Sequence, residues 1–90
     1  MSNYVSLSSL SMDLKRAAMG YYGGSNKMAR RFWEEALARR SEIDRTAVPS
    51  YVSDLLDSVE NVTNSGDNEK VAEDLLLYSI LLQNASLKLK

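Results

Sequence analysis

Residues 69–89 read EKVAEDLLLYSILLQNASLKL, and the placing of the apolar residues in this stretch decides the fold. Val71, Leu75, Tyr78, Leu82, Ala85 and Leu89 recur by threes and fours, the period of one helical face. The spacing predicts a helix from about Glu69 to Leu87 with a heptad-like core stripe. Leu76, Ile80 and Leu87 fall on a second line about 150° away, and Leu77 and Leu81 on a third. A peripheral helix of a small bundle needs a single stripe about 100° wide. This helix therefore carries more apolar surface than its own bundle uses. A second copy or another protein is expected to cover it; the alternative is cover from within the chain by the N-terminus, the first helix or the C-terminal tail.

Working back from this helix, Asn64-Ser65-Gly66-Asp67-Asn68 is turn chemistry throughout, and either Asp67 or Asn68 suits its N-cap. Before the turn, Val48, Val52, Leu55, Val59 and Val62 form the stripe of a helix that starts near Pro49 and runs to about Thr63. The fixed φ and missing donor of proline belong in a first turn. Ser53, Asp54, Asp57, Glu60 and Asn61 face away from that stripe. Another helix is expected after Ser25 or Asn26, continuing to about Ile43 on Met28, Ala29, Phe32, Trp33, Ala36 and Leu37. On its opposite face the spacing pairs Arg30 with Glu34, Arg31 with Glu35 and Glu35 with Arg39, each pair contributing roughly 0.2–0.5 kcal/mol. The first helix is expected from about Ser6 to Tyr22, on Leu7, Leu10, Leu14, Ala17 and Tyr21, and Gly23-Gly24 stop it. A thinner line of Val5, Met12 and Met19 suggests that it touches two neighbours.

Four helices joined by short loops predict an all-α, up-down-up-down four-helix bundle, with a three-helix core and an extended or swapped terminal helix as the alternative. Ninety residues fit one domain, residues 1–90. No internal repeat marks a solenoid. A chain of this size buries only a little over ~60% of its unfolded surface, and it has no cysteine to staple it, so helix packing or self-association must hold it.

The residue types missing from the chain narrow its chemistry. It has neither cysteine nor histidine, so thiolate and imidazole metal sites, cysteine nucleophiles, histidine bases and disulfides are excluded. A di-iron bundle needs Glu-x-x-His pairs on facing helices. A phosphate-binding loop needs G-x-x-x-x-G-K-[ST], whereas residues 20–27 read GYYGGSNK. Glu34 and Glu35 are adjacent and point about 100° apart, so they form no convergent carboxylate pair. The expectation is a non-enzymatic protein with no cofactor and no metal.

Charge is nearly balanced, eleven basic side chains against twelve acidic, but unevenly distributed. Residues 1–47 carry a net +3 and residues 48–90 a net −4. Such a pattern lets the two halves neutralise each other or guide association between copies. The opening MSNYVSLSSLSMDLK has neither a basic n-region nor a long apolar core, and the longest apolar run is Leu75–Tyr78, so the expected location is cytoplasmic, without a membrane span.

Two local features invite a ligand reading. Ser25, Asn26 and Lys27 sit at a helix N-terminus with Arg30 and Arg31 a turn further on, an arrangement that attracts anions; the plainer account is a helix cap followed by solvated basic residues. Arg40 falls inside the apolar face of its helix, between Trp33 and Ala36, so it must snorkel to water, lie on an aromatic ring or meet an acid from another helix. Tyr21 and Trp33 lie on core stripes rather than on a stacking platform. The function expected from the sequence is protein–protein association as an adaptor, regulatory or structural module, self-associating as a homodimer through Leu76, Leu77, Ile80, Leu81 and Leu87. The alternative is binding of nucleic acid or a phosphate group through the basic N-terminal half of the second helix, with affinity falling steeply in salt.

Overall fold

The computed structural model describes residues 2–89, which form four α-helices and no strand. They are α1 (Asn3–Tyr22), α2 (Asn26–Ser41), α3 (Ser50–Glu60) and α4 (Asn68–Leu89), with short 3₁₀ helices at Arg45–Ala47 and Val62–Ser65. The all-α class follows the hydrophobic periods, and the helix ends follow the capping chemistry. Ser2 Oγ accepts the Val5 amide and opens α1 one turn earlier than the apolar stripe suggests. Ser25 Oγ accepts the Met28 amide at the start of α2. Asp67 caps α4, accepting the amides of Glu69 and Lys70. Gly66 holds φ +75°, the left-handed conformation that lets the chain turn into that cap.

Two helices are shorter than their stripes. α2 stops at Ser41, after which Asp44 accepts the Thr46 amide and hydroxyl and winds the chain into a 3₁₀ turn. α3 stops at Glu60 because the chain tightens at Val62–Ser65. Such i→i+3 turns satisfy carbonyls that an α-helix leaves orphaned at its end. Asn3 locks the α2–α3 connection to α1: its side chain donates to the Asp44 carbonyl and accepts the Asp44 amide, both at 2.9 Å.

α1 lies between α2 and α4 and packs on both along its length. Leu7, Leu10, Leu14 and Ala17 are fully buried at the centre, with Leu75 and Leu82 from α4 and Val52, Leu56 and Val59 from α3. The flanks of α1 are small. On the α4 side Ser11 and Ala18 sit near a heptad of Ala72, Ser79 and Ser86, all buried, and Ser11 Oγ donates to Gln83 Oε1 at 2.7 Å. On the α2 side, a Cβ added at Gly20 would lie 2.6 Å from the Ala29 backbone nitrogen. Small residues thus let α1 approach two neighbours, whereas the expected second contact line was Val5, Met12 and Met19. Those three are exposed instead, because they sit opposite the leucine stripe, on the side of α1 that faces solvent.

The short α3 covers the core from another side, and two arginines tie it to the end of α2. Arg40 Nε donates to the Leu56 carbonyl at 2.7 Å, while its Nη2 lies 3.3 Å from Glu60 Oε2 and 3.8 Å from Asp57 Oδ1. Arg45 Nη1 donates to Asp57 Oδ1 at 2.6 Å and to Ser53 Oγ at 3.2 Å.

Candidate functional site

The residues with most unspent apolar surface lie on α1 and α4. Val5, Met12 and Met19 on α1 and Leu76, Leu77, Ile80, Leu81 and Leu87 on α4 are all exposed. On α4 this follows from the wheel: Val71, Leu75, Leu82 and Ala85 occupy the core side, Ala72, Ser79 and Ser86 the seam with α1, and the other leucines have only water left to face.

These side chains divide by side. Ser11, Gln83 and the shared lining of two hollows set α1 and α4 antiparallel. The larger hollow, about 520 Å³, lies between Ala18, Met19 and Tyr22 of α1 and Ala72, Glu73 and Leu76 of α4. The smaller, about 380 Å³, lies between Met12 and Lys15 of α1 and Leu76, Ile80 and Gln83 of α4. Leu76 lines both hollows, so Met12, Met19, Leu76 and Ile80 lie along one α1–α4 groove, and heptad spacing puts Val5 and Leu87 in line with them on their helices. Leu77 and Leu81 lie on the other side of α4, toward α3, where Lys88 sits over the Tyr51 ring at 5.7 Å. The apolar stripe on α4 is legible in the sequence. Its continuation across Val5, Met12 and Met19 is missed there, although their seven-residue spacing is the signal.

The basic end of α2 is arranged differently. Ser25 spends its hydroxyl on the cap, and Asn26, Lys27, Arg30, Arg31 and Glu34 border a shallow depression of about 370 Å³. Arg31 pairs with Glu35 at 3.7 Å and also lies over the Phe32 ring, whose centroid is 5.5 Å from its guanidinium carbon. Arg16 approaches the same ring at 5.6 Å. Among the described residues neither Lys27 nor Arg30 has an acidic partner, so the expected Arg30–Glu34 pair is not formed; Arg39 pairs with Glu42 at 3.3 Å rather than with Glu35. Arg40 is engaged with α3 through Leu56, Asp57 and Glu60, away from any aromatic ring.

One carboxyl is buried. Asp13 of α1 faces α2 with Arg16 Nη1 at 3.7 Å. Burial holds its pKa above the ordinary carboxylate value, Glu35 pushes the same way, and Arg16 and Arg39 pull it back. Among the described residues no three acidic side chains converge as a metal site would require, and no helix is long and apolar enough to cross a membrane. Comparisons of the chain with known protein families, with curated proteins and with solved structures find no match.

Proposed function

We propose that this protein is a non-enzymatic helical module that works by protein–protein association, using the solvent face of α4 and associating with itself. The observation that carries the reading is the exposure of Leu76, Leu77, Ile80, Leu81 and Leu87 together on one helix. A scattered exposed leucine is ordinary, but four leucines and an isoleucine exposed on one 22-residue helix are more apolar surface than the fold uses, and exposed apolar surface in that quantity marks interaction sites. Sedimentation equilibrium tests it: association raises the mass above 10.1 kDa as concentration increases, and a constant mass of 10.1 kDa at high concentration counts against self-association. Ile80→Ser combined with Leu87→Ser lowers the associated fraction while leaving the helical content unchanged, since both side chains lie outside the core.

A second reading is favoured by Lys27 and Arg30, which stand beside the α2 N-terminus without an acidic partner among the described residues. It makes this end of α2 a site for a phosphate group or a short nucleic acid. Amide resonances of residues 23–31 would then move on titration with inorganic phosphate or an oligonucleotide in low salt and return as salt is added. Unmoved resonances remove this reading and leave the first untouched.

A further inference from the structure

The inference below rests on the self-association just proposed and specifies its face and register. We propose that the groove between α1 and α4 seats a second copy of this chain, related to the first by a two-fold axis that lies across the helices at Met12 and Ile80.

The size of the groove fits such a partner. Val5, Met12, Met19, Leu76, Ile80 and Leu87 are each 40–57% exposed. Six residues of this size, half exposed, offer about 500 Å² of apolar area per copy, the apolar share of the ~800 Å² that each side gives to a standard interface. The heptad spacing of Val5, Met12 and Met19 keeps one seam turned toward a neighbouring helix over several turns. The hollows on either side of Leu76 leave room for side chains from across the interface.

On α1 the apolar line also reads the same from either end. Met12 is seven residues from both Val5 and Met19, and Ile80 is seven residues from both Glu73 and Leu87. An axis through Met12 and Ile80 sets Val5 against the partner's Met19 and brings Met12 and Ile80 each against their own counterparts, as an isologous interface requires. Charge is compatible with this axis. Reversing the helix sets Glu73 against the partner's Leu87, so the acids at the start of α4 meet no acid of the partner's helix. Lys15 then comes opposite a serine, Ser9, and no like charges meet.

The native chain contains no cysteine, so single-cysteine variants report the register cleanly. Met12→Cys and Ile80→Cys are treated with a short bis-maleimide, alongside Leu81→Cys on the α3 side of α4. The expected result is covalent dimer from each of the first two and none from the third. Cross-links formed only in mixtures of the Met12→Cys and Ile80→Cys chains overturn the register, because the axis then runs along the groove. A dimer by sedimentation without cross-links at either position overturns this face while leaving self-association standing. A monomer at every concentration overturns both.

Discussion

Ser6 and Asp13 are buried polar residues on α1, and each costs the fold something. Ser6 is fully enclosed and its hydroxyl has no hydrogen-bond partner. A buried polar group left unpaired costs about 1–3 kcal/mol, so Ser6→Ala is expected to raise stability by about 1 kcal/mol, measured as a higher urea midpoint. Asp13 titrates above the ordinary carboxylate value when folded, chiefly because it is buried, and near that value when unfolded. Between the two values the folded state holds more protons, so stability falls as pH rises through the window, and the loss is complete above the folded pKa. Asp13→Asn is therefore more stable than the parent at pH 7, and the difference closes below about pH 4, where both states are protonated. Denaturant unfolding at the two pH values checks this; equal stability at pH 7 would refute the assignment. Both side chains look unremarkable in the sequence. Ser6 and Asp13 lie to one side of the leucine stripe, and only the nearness of α2 takes them out of water.

Helix contacts here are of two kinds, and each has its own test. α1 meets α2 by close approach of backbone, at Gly20 and Ala29. Alanine ordinarily improves on glycine inside a helix by up to ~1 kcal/mol, but here the added methyl collides with backbone that cannot rotate away. Gly20→Ala is expected to destabilise by about 1–3 kcal/mol, the usual range for overpacking, which shows as a lower thermal midpoint. α3 is held through Arg40 of α2 and Arg45 of the 3₁₀ helix after it, which reach the Leu56 carbonyl and the Asp57 carboxylate in the C-terminal half of α3, where a cation suits the dipole. Replacing both arginines with methionine is expected to speed amide exchange in residues 50–60 well before residues 7–17 respond. Element identity is legible in the sequence wherever one stripe is bulky: Leu7, Leu10 and Leu14, Val52 and Val59, and Val71, Leu75 and Leu82 are all read correctly as core. Of the close seams only the small pair Ala17–Ala18 is legible; Ser11, Ser79, Ser86 and Gly20 give no hydrophobic signal. The stripe on α2 is read too generously: Phe32 and Trp33 remain half-buried, and only Ala29 and Ala36 are enclosed.

At the scale of the molecule, the balance of a basic N-terminal half and an acidic C-terminal half is realised within the chain, since Arg40 of α2 and Arg45 of the 3₁₀ helix after it meet Glu60 and Asp57 of α3. If the apolar face of α4 is covered by a second copy, association stabilises the fold by mass action, and the thermal midpoint rises with protein concentration. A midpoint that stays fixed over a hundredfold range would show that this face contributes nothing to stability. The surplus leucines of that candidate site are legible in the sequence as a count of apolar positions; the groove is not, because it depends on which edge of α1 lies beside which edge of α4. The central place of α1 also matters before the chain is finished. Its seam with α4 is made by residues 72–86, far downstream in the sequence. Until they emerge, Leu7, Leu10 and Leu14 lack part of their cover, and the nascent chain presents them to chaperones and to its own neighbours on the polysome. The core is thereby completed only once α4 has been made.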